Sequence, residues 1–184
     1  MRALGRRLDV EAMSLYNHVR GKEGLREGIA ELLWQEVERS FQAGSSWRDS
    51  LRSLARSLRA LANDHPHAFP LLMSSASMVA PMLRAFGAGL GVLREAGFDG
   101  ERATLTLNAV TGYAAGYAAM ELSCLAACGT QEGEEDLDAI VRLTQTLPPE
   151  ASPDLIRVAH ECWADPDVQF EFGLEALLAG IDPV

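Results

Sequence analysis

Apolar residues recur at helical spacing almost throughout the chain, and no run alternates with period two over strand length, so the pattern predicts an all-α fold. Two short helices come first, about Arg2 to Leu8 and about Ala12 to Val19, with Asp9, Val10 and Glu11 between them. A long helix runs from about Lys22 to Phe41, with Leu25, Ile29, Leu32, Leu33, Val37 and Phe41 on one face, and ends at Ala43-Gly44-Ser45. Ser46 then caps a helix striped by Trp47, Leu51, Leu54, Leu58 and Leu61, with Asp49 as its capping-box partner and His65-Pro66 as its stop. A short apolar segment, Phe69 to Met73, precedes a helix from about Val79 to Ala96, which stops at Gly97 where a left-handed cap is wanted.

Asp99 can cap the next helix, about Glu101 to Ala127. Its Gly112, Ala115, Gly116 and Ala119 recur at spacings of three and four, which lets another backbone come close. Glu121 is the one charge between Thr104 and Cys128, so the helix is expected to be packed on all sides, with Glu121 meeting a partner across a dimer seam. Gly129 to Asp136, GTQEGEED, reads as a mobile loop whose acids are solvated. Helices are then expected at about Leu137 to Leu147, at about Pro153 to Trp163 behind Ser152, and at about Pro166 to Ile181 behind Asp165. The last two each combine an N-cap residue with a first-turn Pro. Phe170, Leu174, Leu177, Leu178 and Ile181 stripe the last one, and no internal repeat is present.

A chain of 184 residues with 48% apolar and 23% charged side chains is an ordinary globular composition, which excludes disorder and a disulfide miniprotein. Cys124, Cys128 and Cys162, without a secretory segment, point to a reducing cytoplasm and no disulfide framework. The Thr, Asn, Gly and Tyr content of Thr104 to Cys128, and its lack of a flanking basic cluster, favour a buried helix over a membrane span.

Charge changes the picture more. A net charge of −10 argues against nucleic acid as a partner of the whole surface. Residues 1–26 reverse it locally, with Arg2, Arg6, Arg7, Arg20, Lys22 and Arg26 against Asp9, Glu11 and Glu23. The chain therefore carries a basic head on an acidic body. In the head, RALGRRLDVEAMSLYNHVRGKEGL combines a basic short helix, a tight turn and a second short helix with polar tips, the pattern of a helix-turn-helix reader. Leu4, Leu8, Val10, Leu15 and Val19 would hold the two helices together, while Met13, Ser14, Tyr16, Asn17 and His18 project outward. Tyr16 and His18 can donate to phosphates, Asn17 and Ser14 can reach base edges, Arg2 can pin the backbone, and Lys22 adds charge at a helix N-terminus.

The run L-x-V-E-A-x-S-L-Y-N-H-V-x-G-K-E-x-L closely resembles the DNA-binding segment of the tetracycline-repressor (TetR) family, in particular its tetracycline-repressor-like subgroup. Ser46-Trp47-Arg48, Glu95-Ala96-Gly97-Phe98 and the stretch from Phe172 to Gly180 are similar to stretches of that subgroup too, so the resemblance covers nearly the whole chain. It implies a helix-turn-helix head over residues 1–42 and a helical ligand-binding and dimerisation domain over 46–184. It further implies a homodimer on palindromic operator DNA, released when a small molecule shifts the long connecting helix. Carried over by position, Arg2, Ala12, Met13, Ser14, Tyr16, Asn17, His18 and Lys22 match family positions that contact DNA. The dimer would form through the helices at 101–127 and 166–181 as a four-helix bundle. The family's head begins with a further helix of about 15–20 residues that is absent from this sequence, with Met1 at the start of the second, so the resemblance implies either a start upstream of Met1 or a head shortened by that helix.

Where the family's metal-chelating His aligns, near Leu71, this chain has Phe69-Pro70-Leu71-Leu72-Met73, which disfavours tetracycline bound through magnesium. A small apolar effector is expected instead, in a pocket involving Leu61, Met73, Met82, Phe86, Asn108, Thr111, Met120 and Trp163. Neither a metal nor a cofactor is expected: Cys124, Cys128, His160 and Cys162 lack the tight paired spacings of a zinc site, and His65 and His67 flank Pro66 in a connector. There is no G-x-S-x-G, no phosphate loop and no placed carboxylate pair, so an enzyme is not expected. The leading reading is a ligand-responsive repressor. Its alternative is a helical dimer of the same fold that binds a ligand or another regulator without competent DNA binding.

Overall fold

A computed structural model describes residues 1–74, 78–128 and 165–183. The helices among the described residues are α1 (Arg2–Arg7), α2 (Ala12–Tyr16), α3 (Gly21–Ser40), α4 (Trp47–Asp64), α5 (Phe69–Ser74), α6 (Ala80–Glu95), α7 (Gly100–Cys128) and α8 (Pro166–Ala179), with no strand among them. The fold is all-α, as the periodicity predicts. The expected helices at 137–147 and 153–163 and the acidic run at 129–136 lie outside the described residues, as do Trp163, His160 and Cys162.

The capping signals act where the sequence put them. Ser46 Oγ accepts the Asp49 N–H at 3.1 Å, Asp99 Oδ1 accepts the Arg102 N–H at 2.7 Å, and Asp165 Oδ1 accepts from Asp167 and Val168. Gly97, with φ at +94°, stops α6 in the left-handed region. The Ser46 box is unusual in its return arm, because Asp49 is too short to reach back to the backbone. Its Oδ2 accepts the Ser45 and Ser46 hydroxyls instead, which holds the Asp49 carboxyl below its ordinary range.

α4 is the centre of the body. Leu51, Leu54, Leu58 and Leu61 are buried against α7, where Leu107 and Val110 face them, and Phe170, Leu174 and Leu178 of α8 complete that layer. Full burial of each such side chain stabilises by about 1.5–3 kcal/mol. α3 enters the same core through Ala30, Leu33, Trp34 and Val37. Leu32, expected on that face, is 64% exposed, since the 100° step of the helix turns it away from a face centred on Leu33 and Val37.

The flank of α4 next to that face carries a ladder of arginines turned to α8. Arg48 donates to the Ile181 carbonyl at 2.8 Å and to Asp182, and Arg56 grips Glu171 in two bonds of 2.7 and 2.8 Å. Arg52 is likewise bidentate on Glu175, and Arg59 reaches Asp167 at 2.7 Å. The partners descend along α8 as the arginines ascend α4, so the two helices run antiparallel. Arg59 also makes two bonds to Glu121 of α7, 2.9 and 2.7 Å, and lies over the Phe170 ring. Glu121 thus finds its cation inside its own chain, not across a dimer seam: a nearly buried carboxylate takes the nearest guanidinium that can pair with both its oxygens. Tyr113 and Tyr117 tie α7 to α8 as well, donating to the Phe170 and Pro166 carbonyls at 2.9 and 2.8 Å. Gly173 is needed there, because a Cβ would run into the Tyr113 ring and hydroxyl.

Among the described residues α7 is not packed on all sides. One face, Ala103, Leu107, Val110, Ala114 and Ala118, is buried, and the other is open, with Leu105 61% and Met120 52% exposed and clear space above Gly112 and Gly116. Apolar character in this helix marks two faces, of which the described residues cover only the first.

Candidate functional site

The head is built by backbone geometry more than by core. α1 ends at Leu8, and Asp9 takes φ +53°, which lets the Val10 N–H return to the Gly5 carbonyl at 3.0 Å in a six-residue closing bond. Glu11 is extended and precedes α2, whose five residues give way to turns at Asn17 and His18. The second helix is therefore shorter than the expected Ala12 to Val19, since Asn17 and His18 bond to carbonyls three residues back. Gly21, with φ +71°, makes the corner into α3, which accounts for the glycine in V-x-G-K.

On this frame Met13, Tyr16 and Asn17 share one face by helical spacing, and all three are exposed, Met13 by 71%. His18, Arg2 and Lys22 are exposed, Ser14 is half-buried, and Ala12 opens the helix. Among the described residues the head's only ion pair joins Arg26 to Glu23 at 3.7 Å. Arg2, Arg6, Arg7, Arg20 and Lys22 are thus free to meet an external anion.

The packing behind that face differs from expectation. Leu4, Leu15 and Val19 are half-buried around the buried Gly5, but Leu8 is 56% and Val10 43% exposed. Helices of six and five residues touch along one short line, and side chains at the end and in the turn fall outside it.

The expected effector residues are not brought together. Leu61 is buried core, Thr111 is buried with its hydroxyl donating to the Leu107 carbonyl at 2.8 Å, and Met82 and Phe86 pack half-buried against the core. Asn108 and Met120 lie on the open face of α7, and Met73 is exposed at the end of α5, while Trp163 is outside the described residues. The helical phase decides this: Asn108 sits one position beyond the buried Leu107 and Met120 two positions beyond the buried Ala118, both turned off the buried stripe. A groove of about 470 Å³ between the end of α3 and α4, lined in part by Ser40, Gln42, Ser53 and Ser57, uses none of the expected residues.

Sequence reasoning missed two features with the best-defined electrostatics. One is the Arg59 cluster, where burial pushes the neighbouring Tyr117 phenol up to about 12. Its signal was present in the spacing of Arg48, Arg52, Arg56 and Arg59 and of Asp167, Glu171 and Glu175. The other is a bidentate pair between Glu38 of α3 and Arg84 of α6, which holds the Glu38 carboxyl below its ordinary range. His65, the C-cap of α4, bonds Glu36 at 3.0 Å. Among the described residues no helix is long and apolar enough to cross a membrane, and no three His, Cys, Asp or Glu side chains cluster as metal ligands.

Comparison with known proteins fits this geometry. The chain is 28% identical to the tetracycline repressor protein class C of Escherichia coli, in an alignment spanning 98% of this chain and 80% of that one. A crystal structure of a possible TetR family transcriptional regulator from Streptomyces coelicolor superposes with a TM-score of 0.79 and 29% identity, over 97% of this chain and 86% of that one. ActR of the same organism, in complex with actinorhodin, shares the fold with a TM-score of 0.68 and 22% identity, over 98% and 85% of the two chains. Residues 42–184 match the family described as tetracycline-repressor-like, C-terminal domain, and the chain accordingly belongs to the TetR family of transcriptional regulators.

Proposed function

We propose that this protein is a cytoplasmic, ligand-responsive repressor, in which residues 1–42 read a palindromic operator and residues 46–184 bind a small apolar effector and dimerise. The observation that carries the reading is the exposed face of α2 and its flanks, where Met13, Tyr16, Asn17, His18, Arg2 and Lys22 stand clear of the core, with no carboxylate paired to Arg2 or Lys22 among the described residues. Such a face can donate to phosphates and reach base edges at once. Ser14 and Ala12 complete the proposed contact set.

Dimerisation through α7 and α8 is supported by their joint open face. Leu105, Gly112, Gly116 and Met120 of α7 are left uncovered, and so are Val168 and Phe172 of α8, the latter 77% exposed. Two such copies would form a four-helix bundle and set two reading heads about one helical turn of DNA apart. The effector reading draws support from ActR, a protein of the same fold that binds actinorhodin.

The test is the double variant Tyr16→Ala with Lys22→Ala, on duplexes enriched by the parent protein from a random pool. Operator affinity is expected to fall by about tenfold or more, and the slope of log affinity against log salt to shrink by about one phosphate contact. Sedimentation should find the dimer intact, and unchanged affinity would remove this face from the reading. A second reading, a helical dimer that binds a ligand or regulator without DNA, is favoured by the exposed Leu8 and Val10, which leave the head thinly packed. Failure of the parent to enrich any duplex would select it.

A further inference from the structure

α3 is the shaft between head and body, and its two ends are held very differently. α1 and α2 pack chiefly on each other, whereas the neighbours of α3 are α4, α5 and α6. Nothing before Ala30 is buried in α3, and from there Ala30, Leu33, Trp34 and Val37 enter the core. Beyond its C-terminal end the chain lies along the first turns of α4, where the Gln42 N–H donates to Ser53 Oγ at 3.0 Å and the Gly44 N–H to Ser50 Oγ at 2.9 Å. Gly44 has no room for a side chain there, because a Cβ would collide with Asp49. This moored strap is a fixed mount.

α6 lies along one flank of the shaft. The Arg84 guanidinium makes two parallel bonds to Glu38, 2.6 and 2.8 Å, and two residues further along α6 the Phe86 ring meets Trp34 edge-on at 5.7 Å. The same helix lies on α7, where the bare backbone of Gly89 accepts the Leu107 methyls at close range. α6 therefore touches the long body helix on one side and the shaft on the other. Glu36, on the opposite flank of the shaft from Glu38, is tied to His65 at the end of α4.

We infer that the Glu38–Arg84 pair is a latch through which α6 sets the tilt of α3, so that a displacement of α6 in the body is delivered to the reading head. The inference rests on the regulatory reading above and supplies its mechanical link. Three properties suit the pair to that role. It is bidentate, so it fixes direction as well as distance. It is partly exposed, with Arg84 at 56% and Glu38 at 33%, so opening it is cheap and a modest displacement suffices. It also works close to a fixed mount, so the far end of the shaft is free to amplify. From Glu38 to Gly21 the helix runs about 25 Å, and a tilt of about 10° moves its start by about 4–5 Å. That is enough to shift a recognition helix out of register with the bases it reads.

The test measures the tilt itself and needs no DNA. Spin labels are placed at Arg6→Cys in the head and Glu101→Cys in α7, with Cys124, Cys128 and Cys162 replaced by Ser. The labelled chain is diluted with unlabelled protein so that within-chain distances are read. Glu38→Gln and Arg84→Gln, both surface changes that spare the core, are each expected to move or broaden the head-to-body distance by several ångströms. The exchanged pair Glu38→Arg with Arg84→Glu should bring the parent distribution back, which mere loosening of the fold would not. Distances identical to the parent in both single variants would overturn the latch. A shift in distance from a protein that binds no duplex would keep the latch and discard the DNA-binding reading, so the two failures are distinct.

Discussion

Arg2, Arg6, Arg7 and Arg20 stand on the head with no carboxylate paired to them among the described residues, whereas Arg48, Arg52, Arg56 and Arg59 each end on an acceptor supplied by α7, α8 or the chain just beyond it. The side chain is the same and its availability is opposite. In the body a guanidinium already neutralised by a carboxylate has no charge to offer an external anion, and its effect is to fix one helix against another. In the head the charge is unspent, so a protein with a net charge of −10 still presents unpaired guanidinium groups on one region. Local pairing, more than overall charge, decides which region can meet nucleic acid.

The sharpest way to break this contrast is Arg59→Ala. It leaves Glu121, a side chain only 11% exposed, without its cation, and loss of one partner from such a pair costs about 3–5 kcal/mol. Urea unfolding should register that loss, while Arg6→Ala, in the head, should leave the unfolding free energy within about 0.5 kcal/mol of the parent.

Acid gives a gentler separation. Glu175 is held below its ordinary 4.5 first by its hydrogen bonds to Arg52. A carboxylate depressed in the folded state contributes stability that is present above its unfolded pKa and is lost as pH falls through the folded value. Thermal midpoints should therefore decline as pH drops below about 4.5, and Glu175→Gln should flatten that decline by removing one titrating group. A variant that keeps the full parental slope would show that the ladder does not contribute to the acid response.

The smallest expected effect sharpens the head's side of the comparison. Asp9 holds φ +53°, a region that glycine enters without steric cost, so Asp9→Gly should stabilise the turn by about 0.5–1 kcal/mol. Slower amide exchange at Val10, whose N–H closes that turn, is the measurement.

Most of the fold was legible because its signals are local. Ser46, Asp99 and Asp165 each accept backbone N–H groups two or three residues ahead, and Gly97 needs only its own φ, so spacing alone located those helix ends. The outward set on α2 was legible for the same reason. What the sequence concealed was which element covers which face. Glu121 looked solitary because its partner, Arg59, lies sixty-two residues earlier in the chain and becomes its neighbour only when α4 packs on α7. Asn108 and Met120 suit a pocket by residue type yet lie on the open face, because an apolar helix does not reveal, residue by residue, which of its faces its own chain covers. Leu8 and Val10 suit a small core in composition, yet two helices this short cannot enclose them.

The point at which α3 enters the core has a consequence for recombination between relatives. The family description begins at residue 42, but the grip of the body on the shaft begins twelve residues earlier, at Ala30. A chimera joined at the strap would give the body a foreign shaft, without the Glu38 that Arg84 pairs with or the Trp34 that Phe86 meets. Joined instead near Gly28, where an added Cβ would touch nothing, a borrowed reading head would inherit this body's mount and latch unchanged. The exchangeable module of this protein is thus shorter than its sequence boundary suggests, and its natural seam lies inside a helix.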